Sequence, residues 1–91
     1  MIIISYDISE NKLRSRFNKY IRKYGHMLQY SVYEITNSEG MLHKIIWDIE
    51  NVWKNIFSES DSVIIIKTSA TCKILRFGYA RHEDDDIIIV E

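Results

Sequence analysis

The chain has 91 residues, 46% of them hydrophobic and 27% charged, with a net charge of −1 and no proline. This composition is too apolar for a disordered protein, and no apolar run approaches the roughly 20 residues that a membrane-spanning helix needs. The single Cys72 cannot form an internal disulfide, and the N-terminus lacks the basic stretch and the cleavage site of a secretory signal. We therefore expect a cytoplasmic protein without membrane contact, folded as one domain over residues 1–91 with a core from about residues 1–68.

The first predicted element is an apolar strand that begins at Ile2 and leads into Tyr6 and Asp7. Asp7 ends this strand just before a turn, where a carboxylate is as typical of a turn or cap as of a metal ligand. One carboxylate is too few for a nuclease, since protein-bound Mg²⁺ usually takes one or two carboxylates besides waters and phosphate oxygens. In a dimer with this strand near the two-fold axis, two copies of Asp7 could hold one shared ion or activate water.

The next segment, residues 11–26, concentrates the positive charge. It holds six of the twelve basic residues and none of the thirteen acidic ones, so it carries +6 and the rest of the chain carries −7. Ser9 is the predicted N-cap of a helix here, and Gly25 is its predicted end. The apolar residues of this helix form one stripe: Leu13, Phe17, Tyr20, Ile21 and Tyr24.

Opposite the apolar stripe lies a surface that we call the basic face, with Arg14 at its border. No glutamate is interleaved to form i, i+4 pairs, which favours phosphate binding over an ordinary solvated surface. A rigid row of cations predicts binding to duplex or single-stranded nucleic acid with little sequence preference and a steep salt dependence. The basic face consists of five residues within about 120° on a helical wheel: Lys12, Arg16, Lys19, Arg22 and Lys23.

The remaining elements follow in order. Residues 27–35 are rich in β-branched and aromatic side chains and predict a strand, as do residues 62–68, 73–79 and 87–90. Between the first two lies a second predicted helix, capped by Asn37 or Ser38. Its apolar face is Leu42, Ile45, Ile46, Ile49, Val52, Trp53, Ile56 and Phe57.

This order predicts an α/β (α+β) two-layer sandwich. Over residues 1–68 the pattern is one strand short of the ferredoxin-like βαββαβ motif. The missing strand could come from splitting residues 27–35 around a bend or from residues 73–79, and the sequence leaves both open. The extra C-terminal strands would leave exposed edges, so we predict a two-fold homodimer that exchanges residues 74–90.

Other kinds of site are disfavoured. His26, His43 and His82 have no zinc-ligand spacing, and the three glycines form no phosphate-binding motif of a nucleotide cofactor.

The segments SYDIS, KLRSRFNKYIRKYG, LQYSVYE and DSVIIIK, with the second helix between the last two, form a specific combination. Over about residues 1–68 it resembles the CRISPR-associated Cas2 family, whose members partner the Cas1 integrase in spacer acquisition. The strongest marks are Tyr6 and Asp7 after the first strand, the arginines that follow, and the run from Gln29 to Glu34. After Lys67 the sequence departs from the family pattern.

The resemblance implies a ferredoxin-like fold and a dimer whose C-terminal strands cross to the partner. It also implies that Asp7 is the catalytic and metal-binding carboxylate, supported by Tyr6 and Ser9, with Mg²⁺ as the ion and Mn²⁺ as the alternative. Arg14 and Arg16 match residues that touch DNA most directly.

The family has been described both as a metal-dependent endonuclease on RNA or duplex DNA and as a non-catalytic bridge between integrase dimers. We rank the DNA-binding bridge first, because one acidic residue per copy without an evident general base predicts slow turnover at best. An enzyme in its own right is the alternative, and a toxin-like messenger-RNA ribonuclease on a similar small fold is a third hypothesis.

Overall fold

The computed structural model of the chain describes residues 1–36, 38–69 and 75. Residues 27–35 are divided by a turn at Tyr30 and Ser31, where Ser31 has a positive φ of 64°. Of the two sources that the sequence left open for the missing strand, this split is the correct one. The elements, in chain order, are β1 (Ile2–Asp7), α1 (Asn11–Ile21), β2 (Gly25–Gln29), β3 (Val32–Ile35), α2 (Glu39–Asn51), a 3₁₀ turn (Trp53–Asn55) and β4 (Ser62–Lys67).

The four strands form one antiparallel sheet in the order β2-β3-β1-β4. The first strand lies inside the sheet, with Ile4 opposite Tyr33 of β3 on one side and Ile65 of β4 on the other. This strand order and the β-α-β-β-α-β sequence of elements make the fold ferredoxin-like, as predicted.

The core lies between the sheet and the helices. Alternate residues of β1 are buried, as period-two geometry requires for a strand with one covered face. Phe17 of α1 is fully buried, and its ring meets both Tyr6 and Trp53 edge-on with centroids 5.0 Å apart. The predicted apolar stripe of α1 is confirmed: Leu13, Phe17 and Ile21 are buried, and Tyr20 and Tyr24 pack against the same cluster.

The two ends of α1 differ from the prediction. Its N-cap is Glu10, whose side chain makes no capping hydrogen bond. The predicted cap residue, Ser9, instead directs its hydroxyl to Ser60 and Asp61. The helix ends at Ile21, four residues before Gly25, which is the first residue of β2. A Cβ atom at Gly25 would lie 2.0 Å from the carbonyl oxygen of Glu34, so the glycine permits close approach of two strands and does not stop the helix.

At α2 the predicted cap is confirmed and the predicted length is wrong. The Ser38 hydroxyl accepts a hydrogen bond from the Met41 N–H at 3.4 Å. The apolar period runs to Phe57, but the α-helix ends at Asn51, and Val52 and Ile56 are 44% and 43% exposed. The tighter 3₁₀ turn changes the angular spacing of the side chains, so only part of the predicted face continues into the core.

Two further predictions concern the rest of the chain. The C-terminal strands at 73–79 and 87–90 and the exchange of residues 74–90 fall almost entirely outside the described residues. Among the residues that are described, no helix is long and apolar enough to cross a membrane.

Candidate nucleic-acid interface

The predicted basic face is exposed. Lys12, Arg16 and Lys19 project from α1, and Arg22 and Lys23 continue the surface past its last helical residue. The fixed helical geometry that buries Phe17 and Ile21 therefore presents the three cations of α1 to solvent on the other side of the same helix. All five residues are exposed, three of them on α1 and two in the turn that follows it.

The cations that α1 itself contributes to the basic face are not paired with any carboxylate of the described residues. Lys12, Arg16 and Lys19 form no ion pair with any described carboxylate. The Arg16 guanidinium lies 5.9 Å from the centre of the Trp53 ring, a cation–π contact that orients its side chain and leaves its charge in place. Exposed, unpaired cations on a rigid element raise the local potential that a phosphate backbone meets.

Arg14 stands apart from the basic face. It is half-buried, and its guanidinium donates to the carbonyl oxygen of Ile8 at 3.0 Å and to the side chain of Asn11. These bonds brace the loop between β1 and α1. A guanidinium has five N–H donors, so Arg14 keeps donors for a ligand while it holds the loop.

Asp7 ends β1 with its side chain exposed and lies opposite Ser62 in the register with β4. Period-two geometry places it with Ile3 and Ser5 on the face of the sheet that the helices leave uncovered, which we call the open face. The described residues contain no cluster of three or more metal-ligating side chains. Within the described chain, Asp7 could supply one carboxylate oxygen to a divalent cation. The other ligands would be water, phosphate oxygens or the carboxylate of a second copy of the chain.

The two predicted supporting residues have other contacts. Tyr6 points into the core and its hydroxyl accepts a hydrogen bond from the Asn18 amide at 2.9 Å. Ser9 donates from its backbone N–H and its hydroxyl to one oxygen of Asp61, at 3.0 and 3.1 Å, while the Ser58 N–H donates to the other oxygen at 2.8 Å. The backbone hydrogen bonds from Ser9 and Ser58 lower the pKa of Asp61. Ser9 thus ties the loop that follows Asp7 to the loop before β4.

A buried polar network joins the two helices, and sequence reasoning missed it. Asp48 of α2 is 7% exposed, and its carboxylate accepts hydrogen bonds from the Tyr20 hydroxyl and from the Lys44 ammonium at 3.0 Å. Burial raises the pKa of Tyr20, and the Asp48 carboxylate raises it further. The i, i+4 spacing of Lys44 and Asp48 was a signal for the pair, but not for its burial.

Sequence reasoning also missed a cleft of about 240 Å³ between α1 and the β2–β3 turn. Ser15, Asn18 and Tyr30 had no assigned role, and the available signal was an aromatic residue at a turn between two strands. The cleft is lined by Tyr6, Arg14, Ser15, Asn18, Met27 and Tyr30.

Comparison with known proteins agrees with this description. A solved structure, the crystal structure of a hypothetical protein from Thermus thermophilus, superimposes with a TM-score of 0.67 at 20% sequence identity, covering 87% of this chain and 93% of that one. This likeness supports the fold. The family described as CRISPR associated protein Cas2 matches residues 1–74, a range that includes all four strands and both helices. The chain belongs to the CRISPR-associated Cas2 family.

Proposed function

We propose that the protein acts in CRISPR spacer acquisition as a homodimer that binds duplex DNA without sequence preference and bridges integrase dimers. The observation that supports this most directly is the exposure of Lys12, Arg16 and Lys19 on α1 of a Cas2-family chain, where none of the three has an ion-pair partner among the described carboxylates. Lysine and arginine side chains on an exposed helix face can bind phosphate oxygens, and phosphate contacts carry no sequence information.

The open face supports the homodimer. Ile64 and Ile66 of β4 are 58% and 47% exposed and lie beside Ser5 and Ile3 of β1. Exposed apolar side chains on one side of a sheet are stabilised when another surface buries them. A second copy of the chain supplies an identical apolar surface about a two-fold axis. Such an arrangement brings the two Asp7 side chains toward one another. The change Ile64→Lys should lower the dimer fraction in light scattering, and a wild-type mass of 10.9 kDa at micromolar concentration would contradict the dimer.

The DNA-binding proposal is tested with charge reversals on α1. The double change Arg16→Glu and Lys19→Glu should weaken binding to a 30-base-pair duplex by about tenfold or more, because each copy loses two phosphate contacts and gains repulsion. Lys54→Glu, an equally exposed lysine on the 3₁₀ turn, is the control and should change affinity little. Fluorescence anisotropy at several salt concentrations measures the affinity, and circular dichroism checks the fold. Equal binding by the double variant and by the wild type would refute the basic face as the DNA site.

A second candidate function, Mg²⁺-dependent phosphodiester hydrolysis, is favoured by the position of Asp7. Its carboxylate is exposed on the open face and makes no hydrogen bond to a described residue, so its oxygens are available to a cation. The bound ion would supply Lewis-acid activation of water or phosphate, with Mn²⁺ as the alternative ion. The residues of the chain contribute one anionic ligand per copy and a basic face that orients the nucleic acid.

The two functions are separated by measuring cleavage and binding of labelled RNA and labelled duplex DNA, each incubated with the protein and either Mg²⁺ or EDTA. Asp7→Asn should abolish metal-dependent cleavage while duplex binding stays the same or tightens slightly, because a negative charge near phosphate is removed. Glu50→Gln, which neutralises an exposed carboxylate on α2, is the matched control. Cleavage that persists in Asp7→Asn would place the catalytic group elsewhere, and binding without cleavage in every sample would leave the DNA-binding bridge alone.

A further inference from the structure

The cleft between α1 and the β2–β3 turn has the chemistry of a nucleobase site. We propose that it holds one unpaired base of a single-stranded nucleic acid, with Tyr30 as the stacking surface, an inference that rests on the proposed nucleic-acid binding by α1. The cleft volume of about 240 Å³ is below the range of about 300–1,000 Å³ typical of sites for drug-sized ligands. It therefore suits a single aromatic ring better than a whole nucleotide cofactor.

Tyr30 is an exposed aromatic residue at the β2–β3 turn. Its side chain is 71% exposed and forms no hydrogen bond and no ring contact with the described residues. The turn beneath it is held by the backbone: Ser31 takes a positive φ of 64°, and its carbonyl oxygen accepts from the Tyr6 N–H at 3.1 Å. The ring is thus mounted on a fixed turn with its surface available, as in proteins that stack bases of single strands.

The polar side of the cleft offers free hydrogen-bonding groups at fixed positions. The Asn18 amide nitrogen donates to the hydroxyls of Tyr6 and Tyr33, at 2.9 and 2.6 Å, which sets the orientation of the side chain. Its amide oxygen accepts no hydrogen bond from the described part of the chain, and the Ser15 hydroxyl also has no described partner. Together with the unused donors of Arg14, these groups match the mixed donors and acceptors of a base edge.

The position of the cleft relates the base to its backbone. Ser15 also lines a shallower hollow of about 400 Å³ formed with Asn11, Lys12 and Arg16, so it stands between the two depressions. Phosphates held at Lys12 and Arg16 would leave the attached base within reach of Tyr30 across Ser15. A base that is paired and stacked inside a duplex cannot enter the cleft, so the site is specific for single strands and for unpaired ends.

Four ligands test this proposal by fluorescence anisotropy: an eight-nucleotide single-stranded DNA, the RNA of the same sequence, the DNA with abasic sugars throughout, and a duplex. Tyr30→Ala should weaken binding of both intact single strands by about 5- to 150-fold, the range expected for loss of one base–aromatic stack. Tyr30→Phe keeps the ring and should bind like the wild type. The abasic strand should bind weakly, and the duplex normally, to all of these proteins.

Trp47→Ala is the matched control, because Trp47 is another exposed aromatic residue, 58% accessible, on α2. It should leave single-strand binding unchanged, and the exposure of Tyr30 means that Tyr30→Ala should keep the wild-type melting temperature. The inference is overturned if Tyr30→Ala binds single strands like the wild type, if it weakens duplex binding equally, or if the abasic strand binds as tightly as the intact one. A wild type that binds the duplex but none of the single strands overturns this inference alone, whereas failure to bind any ligand overturns the proposed function too.

Discussion

The two helices cover the same face of the sheet but differ in whether their cations are paired with carboxylates. On α2 and next to it, cations and anions meet within the described chain: Lys44 contacts Asp48, and Lys67 of β4 contacts Glu39. On α1, Lys12, Arg16 and Lys19 have no such partner among the described carboxylates. Both helices bury an apolar stripe, and α2 also buries the carboxylate of Asp48, which pairs with Lys44.

This difference separates a stabilising use of charge from a binding use. A cation paired with a nearby carboxylate presents little net field to a ligand, whereas a row of cations without carboxylate partners keeps its field and gains no ion-pair stabilisation. A chain whose net charge is only −1 can therefore contain a strongly cationic surface. Substitutions on α2 should change stability without changing DNA affinity, and substitutions on the basic face should do the reverse.

The largest expected effect on stability is at Asp48. The change Asp48→Ala removes the acceptor for the Tyr20 hydroxyl and the Lys44 ammonium, and it should reduce the free energy of unfolding by about 1–3 kcal/mol, the cost of leaving a buried polar group unpaired. Urea denaturation measures this change. Duplex affinity, measured where the variant is folded, should match the wild type, and a large loss of affinity would break the division between the helices.

The Asp48 carboxylate also predicts how the stability of the protein depends on pH. Burial alone would raise the pKa of Asp48, but the hydrogen bonds from Tyr20 and Lys44 outweigh it, and the pKa lies below its ordinary value. A carboxyl group whose pKa is depressed by folding stabilises the protein above its unfolded pKa, about 3.9, and loses this contribution as pH falls through the folded value. The stability difference between the wild type and Asp48→Ala should therefore be constant near neutral pH and shrink below about pH 4. Thermal melts from acid to neutral pH test this, and a difference that grew in acid would contradict the assignment.

Local patterns were enough to predict most of the fold. The alternation in β1, the stripe of α1 and the Ser38 cap each depend on neighbouring residues, so the sequence contains them directly. The split of residues 27–35 depends on a turn with positive φ at Ser31, a residue type that gives little warning of that conformation.

The candidate site was predictable in part for the same reason. The basic face is periodic along one helix and can be read from spacing alone. The bonds of Ser9 to Asp61 arise only when the loop after β1 meets the loop before β4. The cleft beside Tyr30 arises only when α1 packs beside the turn between β2 and β3. The predicted Ser9 cap failed because Asp61, 52 positions away, competes for the same side chain.

The smallest effect that we predict sharpens the contrast between the two helices at their first turns. Ser38→Ala removes the side-chain cap of α2 and should reduce the free energy of unfolding by about 1 kcal/mol.

At α1 the cap position is Glu10, which makes no cap hydrogen bond, so Glu10→Ser should raise stability by a few tenths of a kcal/mol up to about 1 kcal/mol. It also removes a negative charge next to the basic face, so duplex affinity should rise slightly at low salt and this gain should disappear at high salt. Chemical denaturation and anisotropy on the same preparations measure the two effects. The helix that we propose to bind nucleic acid is the one whose cap residue makes no side-chain hydrogen bond. A stabilised α1 with undiminished affinity would show that the missing cap is not required for binding, whereas a loss of affinity would show that Glu10 itself positions the loop between β1 and α1.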